Sequence, residues 1–408
     1  MFKLKIKVSS VEYSLILILL FLCAMNFYAK FFYFAFGTLI VMMLFRGKIR
    51  INYAFIFYLM LGVLMSLYNI ENDIMAMLRC FAYVALYIVG FNLSLNLNRN
   101  NNLTEDIKIT AQKRAYTLLV AIAGGSFVHF MLNFVSNIGK DLGRNTNDIW
   151  TGEPMSATAQ SAIGCLMLGL AISMVLYRKK KYSRILGIAL IFSMLSYNLV
   201  LAGRTMIIML ILVFAIGLIY LLACTPSRIE RMKLIGGITI IVLLFILVYF
   251  ANVGGIRDAV MESNLYSRFF EASKYELAET DRLDARINFL KNAFDYPFGG
   301  LHMREQFGYA HDLFLDAYDE YGILALILLI IILANGIKEL YCFCRNDDNE
   351  LVFRMSFLCV YTTILLEFCV EPIFAGMQWL FVCYCLINGC LASINRITSK
   401  VCDGDSTL

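Results

Sequence analysis

Residues 205–223 run from Thr205 to Ala223 through Met, Ile, Leu, Val and Phe without one charged side chain. That is close to the roughly 20 apolar residues an α-helix needs to cross a bilayer. The pattern recurs along the whole chain. Apolar runs between polar breaks centre on 11–28, 31–46, 53–69, 74–96, 115–137, 156–177, 185–202, 205–223, 234–251, 313–337, 352–371 and 378–395. Of the 408 residues, 60% are hydrophobic and 16% charged. Soluble globular chains carry about 45–50% apolar and about 25% charged residues. A soluble enzyme, a disordered chain and a secreted disulfide scaffold are thereby excluded. Only four prolines interrupt these Leu/Ile/Phe runs, and they lack the apolar–polar alternation of barrel strands. The expected fold is an all-α polytopic integral membrane protein of about twelve transmembrane helices. It forms a single transmembrane domain over 1–408.

The polar breaks sort by charge. Alternate loops carry Lys3/Lys5/Lys7, Arg46/Lys48/Arg50, Arg99/Lys108/Lys113/Arg114, Arg178 through Lys181 with Arg184, Arg228/Arg231/Lys233, Lys338/Arg345/Arg354 and Arg396/Lys400. The short loops between them carry only Lys30, Lys140, Arg144 and Arg204. Cytoplasmic loops are the basic ones, so both termini are expected in the cytoplasm. MFKLKIK and the apolar run after it look like a signal peptide, but no small-residue cleavage site is clear, so an uncleaved first helix is expected.

The longest polar segment, 252–312, then falls on the outer side between spans 9 and 10. Loops of this length escape the charge rule. Leu283, Ile287, Leu290 and Phe294 recur at helical spacing, which predicts an amphipathic helix on the membrane surface or over a cavity. Asp295-Tyr296-Pro297-Phe298-Gly299-Gly300 ends it with turn residues. The twelve cysteines lie mostly in apolar runs, and the pairs Cys342/Cys344 and Cys383/Cys385 lack partners at zinc-ligand spacing. They read as packing residues, and no metal is expected.

Polar residues on the outer side carry the candidate chemistry. Arg204 follows Gly203 where a span opens; it is either an ordinary interfacial arginine or an anion ligand beside a helix N-terminus. Arg282 and Arg286 share a helix face, either as a salt-bridged surface with Asp281 and Asp284 or as a clamp for phosphate oxygens. His311 stands where the loop enters the tenth span. It is either a local hydrogen-bonding group or a general base, with Asp312 or Asp316 to orient it. His302 is a rival in the same loop, and His129 reads as a packed helix–helix residue. Arg304, Asp312 and Glu320 join the candidate set as substrate-binding residues. Glu367 and Glu371 approach the outer end of the eleventh span as structural or catalytic carboxyls. Arg144, Trp150 and Glu153 line the same vestibule, or Trp150 anchors at the lipid interface. The chain shows no glycine-rich phosphate loop and no HExxH. A donor already activated and already in the membrane fits better than a nucleotide.

Three ordered features resemble the O-antigen polymerase and O-antigen ligase superfamily. They are Gly203-Arg204-Thr205 opening a span, Leu283-Asp284-Ala285-Arg286 running to Pro297-Phe298-Gly299-Gly300, and His311-Asp312-Leu313-Phe314-Leu315 running to Tyr321-Gly322-Ile323-Leu324. They cover roughly residues 200–330. The family usually has His-Asn where this chain has His311-Asp312. The resemblance implies a metal-independent and cofactor-free glycosyltransferase of the bacterial inner membrane, with its active site facing the periplasm. Its donor would be a glycan on undecaprenyl pyrophosphate, with Arg204, Arg286 and His311 as catalytic positions. A polymerase would use a second lipid-linked repeat unit as acceptor and work beside a chain-length regulator; a ligase would use lipid A-core. The compact loop and the altered His-Asn motif favour the polymerase. Nucleic acid is not an expected partner. A secondary transporter or a lipid-linked oligosaccharide flippase is the rival class, although no repeat relates the two halves of the chain.

Overall fold

The computed structural model describes residues 8–47, 49–69, 74–95, 104–140, 145–177, 181–201, 203–263, 266, 284, 286–292, 294–300, 303, 305–306 and 311–402. Among these, helices of 15 residues or more number twelve. They are α1 (Val8–Ala24), α2 (Phe31–Arg46), α3 (Ala54–Tyr68), α4 (Ile74–Leu95), α5 (Thr104–Asn137) and α6 (Ala157–Leu176), then α7 (Lys181–Leu201), α8 (Arg204–Cys224), α9 (Arg228–Phe250), α10 (Leu313–Arg345), α11 (Leu351–Phe368) and α12 (Gln378–Cys402). Each overlaps one expected apolar run. Eight are long and apolar enough to cross a membrane: α4 to α8 and α10 to α12. The chain is therefore an all-α membrane protein, with one small sheet of Asn145–Asn147 against Pro154–Ser156.

Two runs differ from expectation. Helix α5 starts at Thr104, well before 115, because its polar first turns have partners. Lys108 pairs with Asp348 at 3.1 Å, and buried Gln112 donates to Asn349 at 2.7 Å. Helix α10 continues to Arg345 but breaks at Gly322 (φ 78°, ψ −179°). Such a break frees backbone groups, which must find partners at that depth. The Pro-Phe-Gly-Gly turn supplies them. Pro297 O accepts the Ile323 N–H at 2.9 Å, and the Gly300 N–H donates to Asp319 O. Both motifs need glycine: a Cβ on Gly299 would lie 2.2 Å from Tyr318 O, and one on Gly322 2.8 Å from Pro297 O. Tyr68 at the end of α3 donates to Phe298 O at 3.2 Å, fastening the turn to a third element.

Small residues let the helices close on one another. Gly90 of α4 and Gly389 of α12 face each other's backbones; added Cβ atoms would lie 2.2 Å from Leu386 O and 2.3 Å from Tyr87 O. Helices α6 and α12 are buried along most of their length, whereas α7 and α8 expose apolar side chains. In the interior Asn388 accepts from Tyr361 at 3.0 Å and donates to Tyr58 at 2.9 Å, joining α12, α11 and α3.

Side-chain contacts define two ends. At one, Arg46 meets Glu12 and donates to Asn92 O at 2.8 Å, and Arg354 meets Asp347 at 2.9 Å. This end holds α1 and α5 near their starts and α2 and α4 near their finishes. At the other, Trp150 meets the end of α1, and the 297–300 turn meets the end of α3 and the start of α10. At the first end α1, α5 and α11 therefore start and α2, α4 and α10 finish. Among the described residues, Arg46, Lys108, Arg114 and Arg354 lie at the first end, and Arg286, His311 and Trp150 at the second.

Candidate functional site

Arg286 lies in the short helix at 286–291 and ties the loop to the bundle. Its guanidinium donates to His311 O at 3.2 Å and to Cys369 O, just past the end of α11, at 3.1 Å. Its Nε stands 3.1 Å from Asp312 Oδ2. Asp312 is buried and uses its other oxygen to accept the Leu315 N–H at 2.8 Å, capping α10. One carboxylate therefore starts a helix and neutralises the arginine. The Arg286 side chain keeps 38% of its surface exposed. Its ion partner is Asp312 across the loop, not the nearby Asp284 expected from spacing. Arg282, Asp281, Arg304, His302 and Arg144 lie outside the described residues.

His311 is half-buried and contributes its carbonyl to this joint. The two aspartates expected to orient its ring also bind other groups. Asp312 holds Arg286 and the cap. Asp316 is buried and accepts the N–H groups of Phe374 and Ala375, the latter at 3.2 Å, in the helical turn Ile373–Gly376. Glu320 is half-buried two residues before the break in α10. Asp319, Glu367 and Glu371 are buried around the same end of α10 and α11.

The amphipathic stripe faces outward. Ile287, Leu290 and Phe294 are exposed, at 37%, 70% and 85%, and Leu283 is outside the described residues. The inward residue is Phe289, fully buried with Met303, Leu315 and Tyr318. An apolar stripe turned away from the protein core is what a helix on a lipid surface presents.

Arg204 opens α8 and is half-buried. The glycine before it has a packing reason: Asn198 Nδ2 donates to Gly203 O, and a Cβ on Gly203 would lie 2.2 Å from Asn198 Oδ1. The Gly203-Arg204 corner therefore depends on α7 for its shape.

A second polar group at this end escaped expectation. His129 is packed as expected, but its Nε2 lies 2.7 Å from Asp148 Oδ2, in the loop after α5. Asp148 Oδ1 accepts the Trp150 N–H at 2.9 Å and the Thr151 N–H at 3.0 Å. Burial pushes the Asp148 carboxyl up, but the His129 hydrogen bond and charge and the two amides outweigh it. They leave the carboxyl below the ordinary aspartate range. Asn137 and Asn133 extend this group by binding Asn147 O at 2.9 Å and the Ile149 N–H at 2.9 Å. His129, Asn133 and Asn137 recur every four residues in an apolar run, a spacing that marks one helix face and was legible beforehand. Trp150 is half-buried and tied to the end of α1. Its Nε1–H donates to Met25 O at 3.1 Å, satisfying a carbonyl past the end of α1, and its ring packs on Phe27 at 4.9 Å. Glu153 is exposed, and its carbonyl accepts the Asp148 N–H at 2.8 Å.

Among the described residues, no group of three or more His, Cys, Asp or Glu is placed to hold a metal ion. No family model matches the chain, and no curated protein matches it.

Proposed function

We propose that this chain is an inner-membrane glycosyltransferase that polymerises lipid-linked oligosaccharide repeat units at the periplasmic face. In this reading all twelve long helices cross the membrane, and the end with the basic loops lies in the cytoplasm. The observation that carries the proposal is the joint made by Arg286. It draws together the loop helix, His311-Asp312 at the start of α10 and the end of α11, at the end of the bundle where α8 opens with Arg204.

The donor is a glycan on undecaprenyl pyrophosphate. An acceptor sugar hydroxyl attacks the anomeric carbon, the bond from that carbon to the phosphate oxygen breaks, and lipid pyrophosphate leaves with the electron pair. Charge grows on the leaving phosphate. Prepositioned arginines stabilise such charge best where water is excluded. Arg286 fits this role because two carbonyls and a carboxylate hold its guanidinium while part of the side chain stays exposed. His311 takes the hydroxyl proton, Arg204 holds the donor from α8, and Glu320 lines the sugar path. One-step displacement inverts the anomeric centre. The partly apolar loop helix rests on the outer lipid surface, beside which a polyprenyl carrier arrives.

The test is complementation of a strain lacking its own polymerase and, separately, one lacking its ligase, each supplied with the matching repeat unit. The lipopolysaccharide ladder is the readout, with membrane levels matched. The expected result is a ladder restored only in the first strain. Arg286→Ala and Arg204→Ala should each cut polymer formation on the order of 100-fold, the loss typical of one removed charge-stabilising donor. Restoration only in the second strain would make the chain a ligase. Wild-type ladders from both variants and from His311→Ala would overturn the site.

A further inference from the structure

Glu367 lies one residue from the end of α11, inside the bundle, with no accessible surface. Neither of its carboxyl oxygens has a hydrogen-bond partner. Every other buried carboxylate at this end whose bonds are described above is held. Asp312 holds a helix start and an arginine, Asp316 two backbone amides, and Asp148 an imidazole and two amides. An ionised carboxylate with neither oxygen bonded pays its full desolvation cost, which is far larger than that of the neutral acid. Among the described residues, the titratable groups whose fields reach Glu367 are Glu371, one turn on, and Cys165 of α6. A second carboxyl makes a second negative charge harder to hold. The same stretch of chain carries the Cys369 carbonyl that receives Arg286. Glu367 thus lies two residues from a carbonyl of the joint between loop and bundle.

We propose that Glu367 is a proton-binding site. The closed packing of α6 against α11 is the form in which its carboxyl carries a proton, and release of that proton to water requires those helices to part beside it. The site would couple external acidity to the opening of this end of the bundle. It does not rest on the glycosyl-transfer reading, because a transporter with the same packing would hold the same proton.

Two measurements on the full-length protein in nanodiscs test this. The first is the infrared spectrum at neutral pH, wild type minus Glu367→Gln. A carbonyl band of a protonated carboxylic acid, present in the wild type and lost in the variant, is expected; its absence would show an ionised group and overturn the proposal. The second is peptide-resolved maleimide labelling of Cys165 against pH. Its rate should rise with pH more steeply in the wild type than in Glu367→Gln, whose neutral amide cannot release a proton. Equal slopes would show that ionisation does not open the packing, and the coupling would fall. If the glutamine variant does not fold, Glu367→Leu replaces it, since no bonded partner is left behind.

Discussion

The two ends of this bundle are closed by different means. At the basic end, side chains of opposite charge meet directly: Arg46 with Glu12, Lys108 with Asp348 and Arg354 with Asp347. At the other end the pairs Arg286–Asp312 and His129–Asp148 stand among many side chains that bind loop backbone. Arg286 holds two carbonyls, Asp316 two amides, Asp148 two amides, and Trp150 a carbonyl. Of the charge pairs, Arg46–Glu12 joins two helices, and the other two hold the 346–350 turn to α5 and α11. Side-chain-to-backbone bonds fasten loops and helix ends, whose own backbone groups would otherwise lack partners. The basic end is thus held by charge pairs between two helices and between helices and one short turn. The other end contains more irregular backbone, whose polar groups must find partners within the protein.

The difference predicts where each end fails. The largest effect is expected at the Arg46–Glu12 pair, whose side chains are both 8% exposed. Glu12→Gln leaves a buried arginine uncompensated and should cost about 3 kcal/mol. It should lower the thermal midpoint of detergent-solubilised protein, read by size exclusion after heating, without touching the candidate site. Next is Gly299→Ala. Gly299 has φ +64°, and a Cβ there would meet Tyr318 O. A loss of about 2–3 kcal/mol follows from left-handed backbone and overpacking combined. Protease cleavage should appear first in the 252–312 loop, because the turn no longer seats in the break of α10. Cleavage elsewhere first would argue against that seat.

A smaller and pH-dependent effect belongs to Asp148. Its folded value lies below the ordinary aspartate value of 3.8, so it stabilises the fold above that pH. The contribution is lost as pH falls from about 3.8 through the folded value. Asp148→Asn should cost about 2 kcal/mol at neutral pH, the worth of hydrogen bonds to a charged group, and should flatten the acid limb of the stability profile. An unchanged acid limb would mean the His129 bond is absent in solution. The smallest effect is Asp348→Asn. Asp348 is 67% exposed, so losing its bond to Lys108 should shift stability by less than about 1 kcal/mol, and high salt should erase the difference from wild type.

Much of the helical architecture was legible because lipid demands it. Each span must be apolar over its length and must satisfy its own backbone, so spans appear in the sequence as runs, and the polar breaks mark their limits. The boundaries failed where the demand came from elsewhere. Helix α5 extends back to Thr104 because Lys108 and Gln112 have partners in the 346–350 turn, more than two hundred residues away. The site was legible in part. Gly203-Arg204, Arg286 and His311-Asp312 were marked by their place between apolar runs, and Arg286 and His311-Asp312 do meet. Their pairing was not legible, since helical spacing offered Asp284 as the nearer partner of Arg286. The His129–Asp148 pair was missed because Asp148 sits in a loop with no periodicity to call attention to it.

What the sequence determined by itself is whatever follows from the solvent: apolar runs long enough for a membrane, their helical state, and two classes of loop separated by charge. Those properties are local sums over neighbouring residues. What only the tertiary structure decided is which distant groups satisfy each other. The turn at 297–300 completes the broken α10, Gly90 and Gly389 let α4 and α12 touch, and Glu367 is enclosed with neither oxygen bonded. Each of these depends on backbone atoms brought close by the fold, and a backbone carbonyl looks the same at every position of a sequence.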